Sequence, residues 1–517
     1  MSGGDSFITP PVNPDEQAFV DFADKAGLPV TPLIFQAAND GVLAWSAFAE
    51  LERRHPYAFL LESAETSENG RYSVMGAAPQ RLFVFQNGVF TVRDGEGKTL
   101  SESPCDSPIS TLAAHLQELS VPPMSPELPP LLGGVVGYMG YDCAHYFEPV
   151  GKMPPDLLNI PDMLWMQTDV LAVFDHFRHN VYVIKNCLAT TAAAQGWRSV
   201  YQEGRRQAEE LLADFSRART PPLRLTMTAA AKLEIQSNYS KEEFCATVES
   251  FKKYIQAGDI FQGVPSQRLS FDQPAPTLDI YRCLRRMNPS PYMFYLKCDD
   301  FVAAGSSPEL MVSCQKNRLR LRPIAGTRPR GGNPQEDAAL EAELLADEKE
   351  RAEHLMLVDL GRNDVGRVAA AGTVQVTNFF HVERYSHVMH IVSDVKGQLA
   401  DGMTAFDALR AAFPAGTLSG APKVRAMQLI NDTEPCKRNL YGGCAGYVSF
   451  DGDMMTCIAI RSFTAKGGRC HVQAGGGIVA DSIPAAEYQE SLNKAAAVLR
   501  AAEMAAQEKE NGDAAAD

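Results

Sequence analysis

The chain has 517 residues, a formal net charge of −15, and 45% hydrophobic and 21% charged residues. Such a make-up fits a soluble globular protein with a large core. It argues against a nucleic-acid binder, which needs a basic face, but leaves room for a small anionic substrate in a locally positive pocket.

Residues 1–20 read as a flexible N-terminus without the basic region and apolar run of a signal peptide. From about 40 to 190 short β-type runs dominate, among them YAFLLES, RYSVMG, RLFVFQNGVFTV and LAVFDHFRHNVYVI, with glycine and asparagine at the turns. A helix is predicted over about 189–216. The connector SRARTPPLRL, around Pro221 and Pro222, then divides a part spanning 21–220 from one spanning 221–502, with a disordered tail at 503–517. Ser240 and Glu243 form a capping-box pattern, and Phe244, Val248, Phe251 and Ile255 follow at helical spacing up to Gly258. A long helix is predicted over about 337–361. The segments Gly133 to Asp142 and Gly442 to Asp451 share Gly-Gly-x-x-Gly-Tyr and a final Asp. Glycines within strands mark bulges or close packing, so the two are expected to be related strands in two sheets.

Eleven scattered cysteines with no Cys-x-x-Cys point to a reducing compartment rather than to a disulfide framework or zinc site. No run of about 18 apolar residues marks a membrane span. The expected location is the cytoplasm.

Several groups can carry chemistry. Glu350 and Glu353 lie three apart on one helix face, as do Glu487 and Glu490. Each pair reads either as a solvated surface or as half of a site for Mg²⁺, which takes hard oxygen ligands. The run Gly475, Gly476, Gly477 reads as a loop or an anion cradle. Arg322, Arg328 and Arg330 surround Gly326 and Thr327, a turn able to offer backbone N–H groups to an anion. Arg461 reads as a mid-strand cation, either at a sheet edge or clamping a carboxylate. Glu309 follows a Gly-Ser-Ser-Pro turn among apolar residues, where desolvation would raise its pKa toward that of a general acid. His390 reads as structural or as a second proton-transfer group.

In order along the chain, IQAGDIFQGVPSQR, GSSPE, PIAGTRPRG, AEHLMLVDLGRNDVGRV, ERYSHVMHIVSDVKG, GTLSGAPKVRAMQLI, YGGCAGY, IAIRS, QAGGGIV and the closing Glu-x-x-Glu resemble the motifs of the chorismate-utilising enzymes. The resemblance implies an α+β fold of large antiparallel sheets in a sandwich with helices outside. It implies Mg²⁺ held by Glu353 and Glu490, with Glu350 and Glu487 beside them, on the ring carboxylate of chorismate. Gly475, Gly476 and Gly477 would cradle a carboxylate, Arg461 and Tyr441 would meet the pyruvyl carboxylate, and Gly326 and Thr327 would line the site. Glu309 matches the family's general acid and His390 the histidine of the elimination step.

Ala325 and Gln262 stand where other branches of the family carry a lysine, so the resemblance implies ammonia as nucleophile and anthranilate as product. The segments LLES, RYS and NPSPYMF resemble a feedback site for L-tryptophan, with Ser63, Pro291, Tyr292 and Met293 as contacts. The sequence shows no glutaminase motif. A glutamine amidotransferase partner supplying ammonia, in a heterotetramer of two large and two small subunits, is therefore expected.

Overall fold

The structure, a computed structural model, describes residues 7–64, 68–218, 232–384 and 388–514. The connector around Pro221 and Pro222 lies outside them. Two large sheets dominate, one of eleven strands and one of twelve. Their central strands are buried on both faces. In Tyr57–Glu62, Tyr57 and Phe59 point into the layer between the sheets, while Ala58 and Leu60 pack under helices on the outside. This two-sided burial explains why the run YAFLL is apolar throughout instead of alternating.

Helices cover the outer faces. Ala44–Arg54, Thr277–Met287 and Pro484–Ala514 pack on the first sheet through Phe48, Leu284 and Val498. Pro108–Gln117, Glu348–Gly366 and Ala405–Ala412 pack on the second through Leu112, Val358 and Leu409. The expected sandwich with outer helices is the observed one.

Both sheets are shared between the two parts of the chain. In the first, Tyr57–Glu62 pairs with Tyr292–Cys298 at the centre. Outward on one side follow Tyr72–Ala77, Val170–Asp175, Asn180–Leu188 and Val30–Ala38; on the other follow Phe301–Ser307, Ser462–Lys466, Arg469–Gly475 and Ser266–Asp272. The order is that of a repeat. PYAFLL (56–61) matches PYMFYL (291–296), and GAAPQ (76–80) matches GSSPE (305–309).

The second sheet has its own seam, and here the glycine-rich echo is corrected. The two copies lie not in two sheets but side by side in one, as the antiparallel strands Gly134–Met139 and Cys444–Ser449, with Gly137 opposite Gly446. A Cβ at Gly137 would sit 2.0 Å from the Leu164 carbonyl oxygen and one at Gly446 2.1 Å from that of Met455, so the neighbouring strands admit only glycine.

Helix boundaries moved in two places. Gly196 splits the 189–216 prediction into Ala189–Gln195 and Trp197–Arg217. Asp347 splits the 337–361 prediction into Pro334–Ala346 and Glu348–Gly366, accepting the N–H groups of Lys349 and Glu350 as the cap of the second. The capping-box helix is Lys241–Gln256, with both reciprocal bonds present. The stretches expected to be loose carry structure where they are described. Glu16–Ala26 is helical with Phe19 fully buried. The last helix runs to Ala514, because Ala501, Ala502 and Ala505 continue its buried stripe.

Replacing Gly446 with alanine is expected to destabilise the protein by about 2 kcal/mol or more, as forced overpacking does. Urea unfolding monitored by circular dichroism measures this.

Candidate active site

The chain passes between the sheets twice within the second part. Phe301–Ser307 belongs to the first sheet and Leu310–Gln315 to the second, so Pro308 and Glu309 form the crossing. The expected tight turn is in fact the end of that strand, where Ser307 pairs with Tyr292. The reverse crossing runs from Met454–Ile458 to Ser462–Lys466. Arg461 sits there with φ +50°, not in mid-strand as expected. The crossings are tied together: Ile458 N–H donates to the Glu309 carbonyl at 3.0 Å and Ser306 N–H to the Arg461 carbonyl at 3.1 Å.

This brings an acid and a cation into one place. Burial pushes the Glu309 carboxyl up to about 7, against the hydrogen bond from Thr417 and the charges of Arg461 and Lys494. Thr417 Oγ1 donates to Glu309 Oε1 at 2.9 Å. Burial lowers the pKa of Arg461, with Tyr441, Glu309 and Glu490 acting the other way. Among the described residues the Arg461 guanidinium has no ion-pair partner within 4.0 Å, which suits it to receive an anion.

The glycine run follows directly. Arg469–Gly475 pairs with Ser266–Asp272 and ends at Gly475 opposite Ser266. A Cβ at Gly475 would lie 2.2 Å from the Pro265 carbonyl oxygen and one at Gly477 2.4 Å from Gln262 Nε2. At Gly476 it would meet Glu487 Oε2 at 3.1 Å and Glu490 Oε1 at 3.6 Å. Any side chain would therefore fill the space between backbone and carboxylates. Burial pushes the pKa of the Tyr441 hydroxyl up to about 12, with the Gly475 backbone and Arg461 among the groups acting the other way. Lys494 Nζ donates to the Gly475 carbonyl at 3.1 Å and pairs with Glu490 at 2.7 Å.

The glutamate pairs sit in the opening turns of two helices. The cap at Asp347 sets Glu350 and Glu353 at the start of Glu348–Gly366; Glu487 and Glu490 open Pro484–Ala514. Burial raises the pKa of Glu350, and Glu353 adds to it by repulsion while Arg328 opposes. Burial likewise raises that of Glu487, with Glu490 adding and Lys349, from the other helix, opposing. Gln262 Nε2 donates to Glu353 Oε1 at 3.1 Å and also touches Gly477, linking the pairs. No group of three or more His, Cys, Asp or Glu side chains stands assembled as a metal site among the described residues. The donors are nevertheless hard oxygens whose mutual repulsion a cation would relieve, a set that fits Mg²⁺ and not a thiolate- or imidazole-bound metal.

His390 pairs with Thr327 across two strands. Its Nδ1 lies 2.9 Å from the Gly326 carbonyl oxygen and 3.0 Å from Thr327 Oγ1. A carbonyl can only accept, so Nδ1 carries the proton of the neutral ring; burial lowers the pKa and keeps the ring neutral. Gly326 has φ +69°. The arginines expected around it are occupied elsewhere: Arg328 by Glu343, Asp347 and Glu350, Arg330 by Asp337 and Arg322 by Glu383.

The second predicted site is also brought together. Met293 pairs with Glu62, and Ala64 N–H donates to the Ser290 carbonyl at 3.0 Å, so Ser63 lies beside Pro291, Tyr292 and Met293. Glu62 there is buried and holds Tyr281 and Arg285 at 3.1 and 2.8 Å. Two features of the main site were not singled out from the sequence, Thr417 and the contact of Gln262 with Glu353; a further contributor, Lys494, follows Glu490 by four residues. Only Lys494 had a local signal, its i,i+4 spacing from Glu490.

A family model described as chorismate binding enzyme matches residues 93–500. The anthranilate synthase component 1 of Pseudomonas putida is 46% identical over 457 residues, covering 87% of this chain and 91% of the relative. That of Thermus thermophilus is 44% identical over 462 residues, covering 89% and 95%. Among solved structures, anthranilate synthase component I from Streptococcus pneumoniae TIGR4 aligns with a TM-score of 0.73 at 36% identity, covering 90% of this chain and 99% of that one. The menaquinone-specific isochorismate synthase of Escherichia coli aligns with a TM-score of 0.68 at 20% identity, covering 92% and 95%, a likeness of fold.

The Glu309 carboxyl gives a measurable signature. Its pKa rises from 4.5 in the unfolded chain to about 7 in the native state, so between these values the native protein holds a proton that the unfolded chain has lost. Its favourable contribution is complete below 4.5 and is lost as pH rises through 7. Compared with Glu309→Gln, the wild type is expected to lose stability between pH 5 and 8 in urea titrations; parallel pH curves would contradict the assignment.

Proposed function

The chain belongs to the chorismate-binding enzymes, and we propose that it is the chorismate-converting component of an anthranilate synthase, a lyase that turns chorismate and ammonia into anthranilate and pyruvate on the route to tryptophan. The observation that carries this reading is Glu309, its carboxyl pushed up to about 7 and held by Thr417, beside an Arg461 with no ion-pair partner among the described residues, next to a glycine run faced by two glutamate pairs.

Chorismate is a dianion, and the cleft offers something for each charge. Arg461 and Tyr441 take the pyruvyl carboxylate. The ring carboxylate lies at Gly475, Gly476 and Gly477, with Gly326 and Thr327 lining the same space. Glu353 and Glu490, with Glu350 and Glu487 beside them, would hold Mg²⁺, which neutralises that carboxylate and withdraws electrons from the ring.

Hydroxide is a poor leaving group, so Glu309 gives its proton to the C4 hydroxyl, which departs as water while ammonia adds at C2. In the second step C2 loses its proton and the enolpyruvyl group leaves as pyruvate. His390, neutral and fixed by Gly326, serves that step. Position 325 is alanine and the Gln262 amide is held by Glu353, so neither offers an amine to attack the ring or activate water. This supports ammonia as the nucleophile.

The relatives are named as component 1, which supports a second component. We assign to it the supply of ammonia from glutamine, in a cytoplasmic heterotetramer of two large and two small subunits. Ser63, Pro291, Tyr292 and Met293 form the feedback site for L-tryptophan.

The purified chain with chorismate, Mg²⁺ and an ammonium salt is expected to develop the fluorescence of anthranilate, and L-tryptophan to suppress it. Glu309→Gln should lower kcat by about 10²- to 10⁴-fold, the span of general acid catalysis. Chorismate consumed without anthranilate would overturn the reading. Ser63→Phe should keep activity while abolishing tryptophan inhibition; equal inhibition of both forms would remove the feedback site.

A further inference from the structure

Glu309 also lines a cavity of about 40 Å³ that lies between the helices Glu348–Gly366 and Gly416–Ser419. At about 10–15 Å³ for one water, it has room for about three. Thr417, Leu357, Gly361, Asp364 and Arg322 share its wall, and the partly exposed Leu360, Ala415 and Gly416 also line it, giving a path toward solvent.

One buried polar atom on a side chain of this wall, Asp364 Oδ1, has no hydrogen-bond partner among the described residues. Leaving a charged group's atom unsatisfied in the interior is costly, and in an otherwise largely apolar wall the side chains of Glu309, Thr417, Arg322 and Asp364 offer waters in a space of this size their polar partners. Asp364 is only 4% exposed. Its Oδ2 is fixed by Lys423 Nζ at 2.8 Å, and that ammonium also donates to the Ala412 carbonyl at 3.2 Å. The carboxylate, on a residue that lines the cavity, is thus held with one oxygen tied and the other without a hydrogen-bond partner among the described residues.

We infer that Asp364, oriented by Lys423, positions a short chain of waters in this cavity that returns a proton to Glu309 after each turnover. The inference rests on Glu309 being the acid for the departing hydroxyl. In that step the C4–O bond breaks, the Glu309 proton leaves in the product water, and Glu309 becomes a carboxylate. The nitrogen adds to C2 as ammonia, forming a C2–N bond and a substituted ammonium that later releases one proton to solvent. One proton therefore has to come back to Glu309, and the overall balance is zero. Bound substrate excludes water from the front of the acid, whereas the cavity reaches it from behind. The charged groups acting on Glu309 are Arg461 and Lys494; those acting on Asp364 are Lys423, Arg367 and Glu148. Asp364 is thus a positioning residue that acts through water.

The test is Asp364→Asn in the full chain, assayed with chorismate, Mg²⁺ and ammonium chloride. We expect kcat to fall by about tenfold or more, within the range of proton-transfer effects, with KM for chorismate unchanged. Adding imidazolium buffer at fixed pH and ionic strength should restore rate to the variant and leave the wild type unaffected. A wild-type kcat, or a loss that buffer does not relieve, overturns the relay. Should Asp364→Asn fail to fold, Ala415→Leu narrows the cavity from its partly exposed side; an unchanged kcat there overturns the relay equally. Anthranilate formation by the wild type tests the function itself, and the ratio of variant to wild type tests only the relay.

Discussion

A chain that builds two stacked sheets has to leave one and enter the other, and here the two crossings of the second part are hydrogen-bonded to each other through Ile458 with Glu309 and Ser306 with Arg461. Residues at a crossing belong to neither ladder. Their side chains are enclosed by both layers without being packed into either, so an acid and a guanidinium can be buried side by side with their polar ends still available. The glycine run, the Tyr441 hydroxyl and the two helix starts gather around that point because the Ser462–Lys466 and Arg469–Gly475 strands lead directly from it.

Burial then sets the charge states. The chain carries a net charge of −15, yet its central cleft sets an acid whose carboxyl burial pushes up to about 7 beside a cation that has no ion-pair partner among the described residues. The repeat offers an internal control. At the matching crossing of the first part, Gln80 stands where Glu309 does and Asp169 where Arg461 does. Gln80 Nε2 donates to Asp169 at 2.7 Å, Lys185 pairs with the same carboxylate at 2.5 Å, and Gln167 donates to Gln80 at 2.7 Å. At that crossing the charged group has its counter-ion, Lys185. At the second, Arg461 has no ion-pair partner within 4.0 Å among the described residues, and this is the crossing read as the site.

Much of the fold was legible where the governing interactions are local. The capping box at Ser240, the hairpin turn at Asn87 and Gly88, and the apolar runs of doubly buried strands all declare themselves within a few residues. What escaped depends on partners far along the chain. The helix Ala44–Arg54 was missed inside a strand-rich region because its buried face is defined by Thr277–Met287 and the first sheet. The pairing of Gly137 with Gly446 is a matter of register over three hundred residues, which no local pattern encodes. Arg461 was placed in mid-strand because IAIRSF reads as one apolar run; only the second sheet's geometry breaks it. The Glu309, His390 and glutamate positions were legible through family motifs, but Thr417 and Gln262 are recognisable as partners only once the segments carrying them are folded together.

The shared seams have a consequence for how this protein is made. Tyr57–Glu62 cannot complete its ladder until Tyr292–Cys298 exists, and Gly134–Met139 waits for Cys444–Ser449. At about 5–20 residues per second of synthesis, the first of these edges stays open on the ribosome for on the order of ten to fifty seconds. An unpaired, doubly apolar strand is a template for the wrong neighbour. The nascent first part is therefore a natural client for a holding chaperone, and two copies emerging close together on one message could exchange halves, each lending the other the strands its own ribosome has yet to deliver.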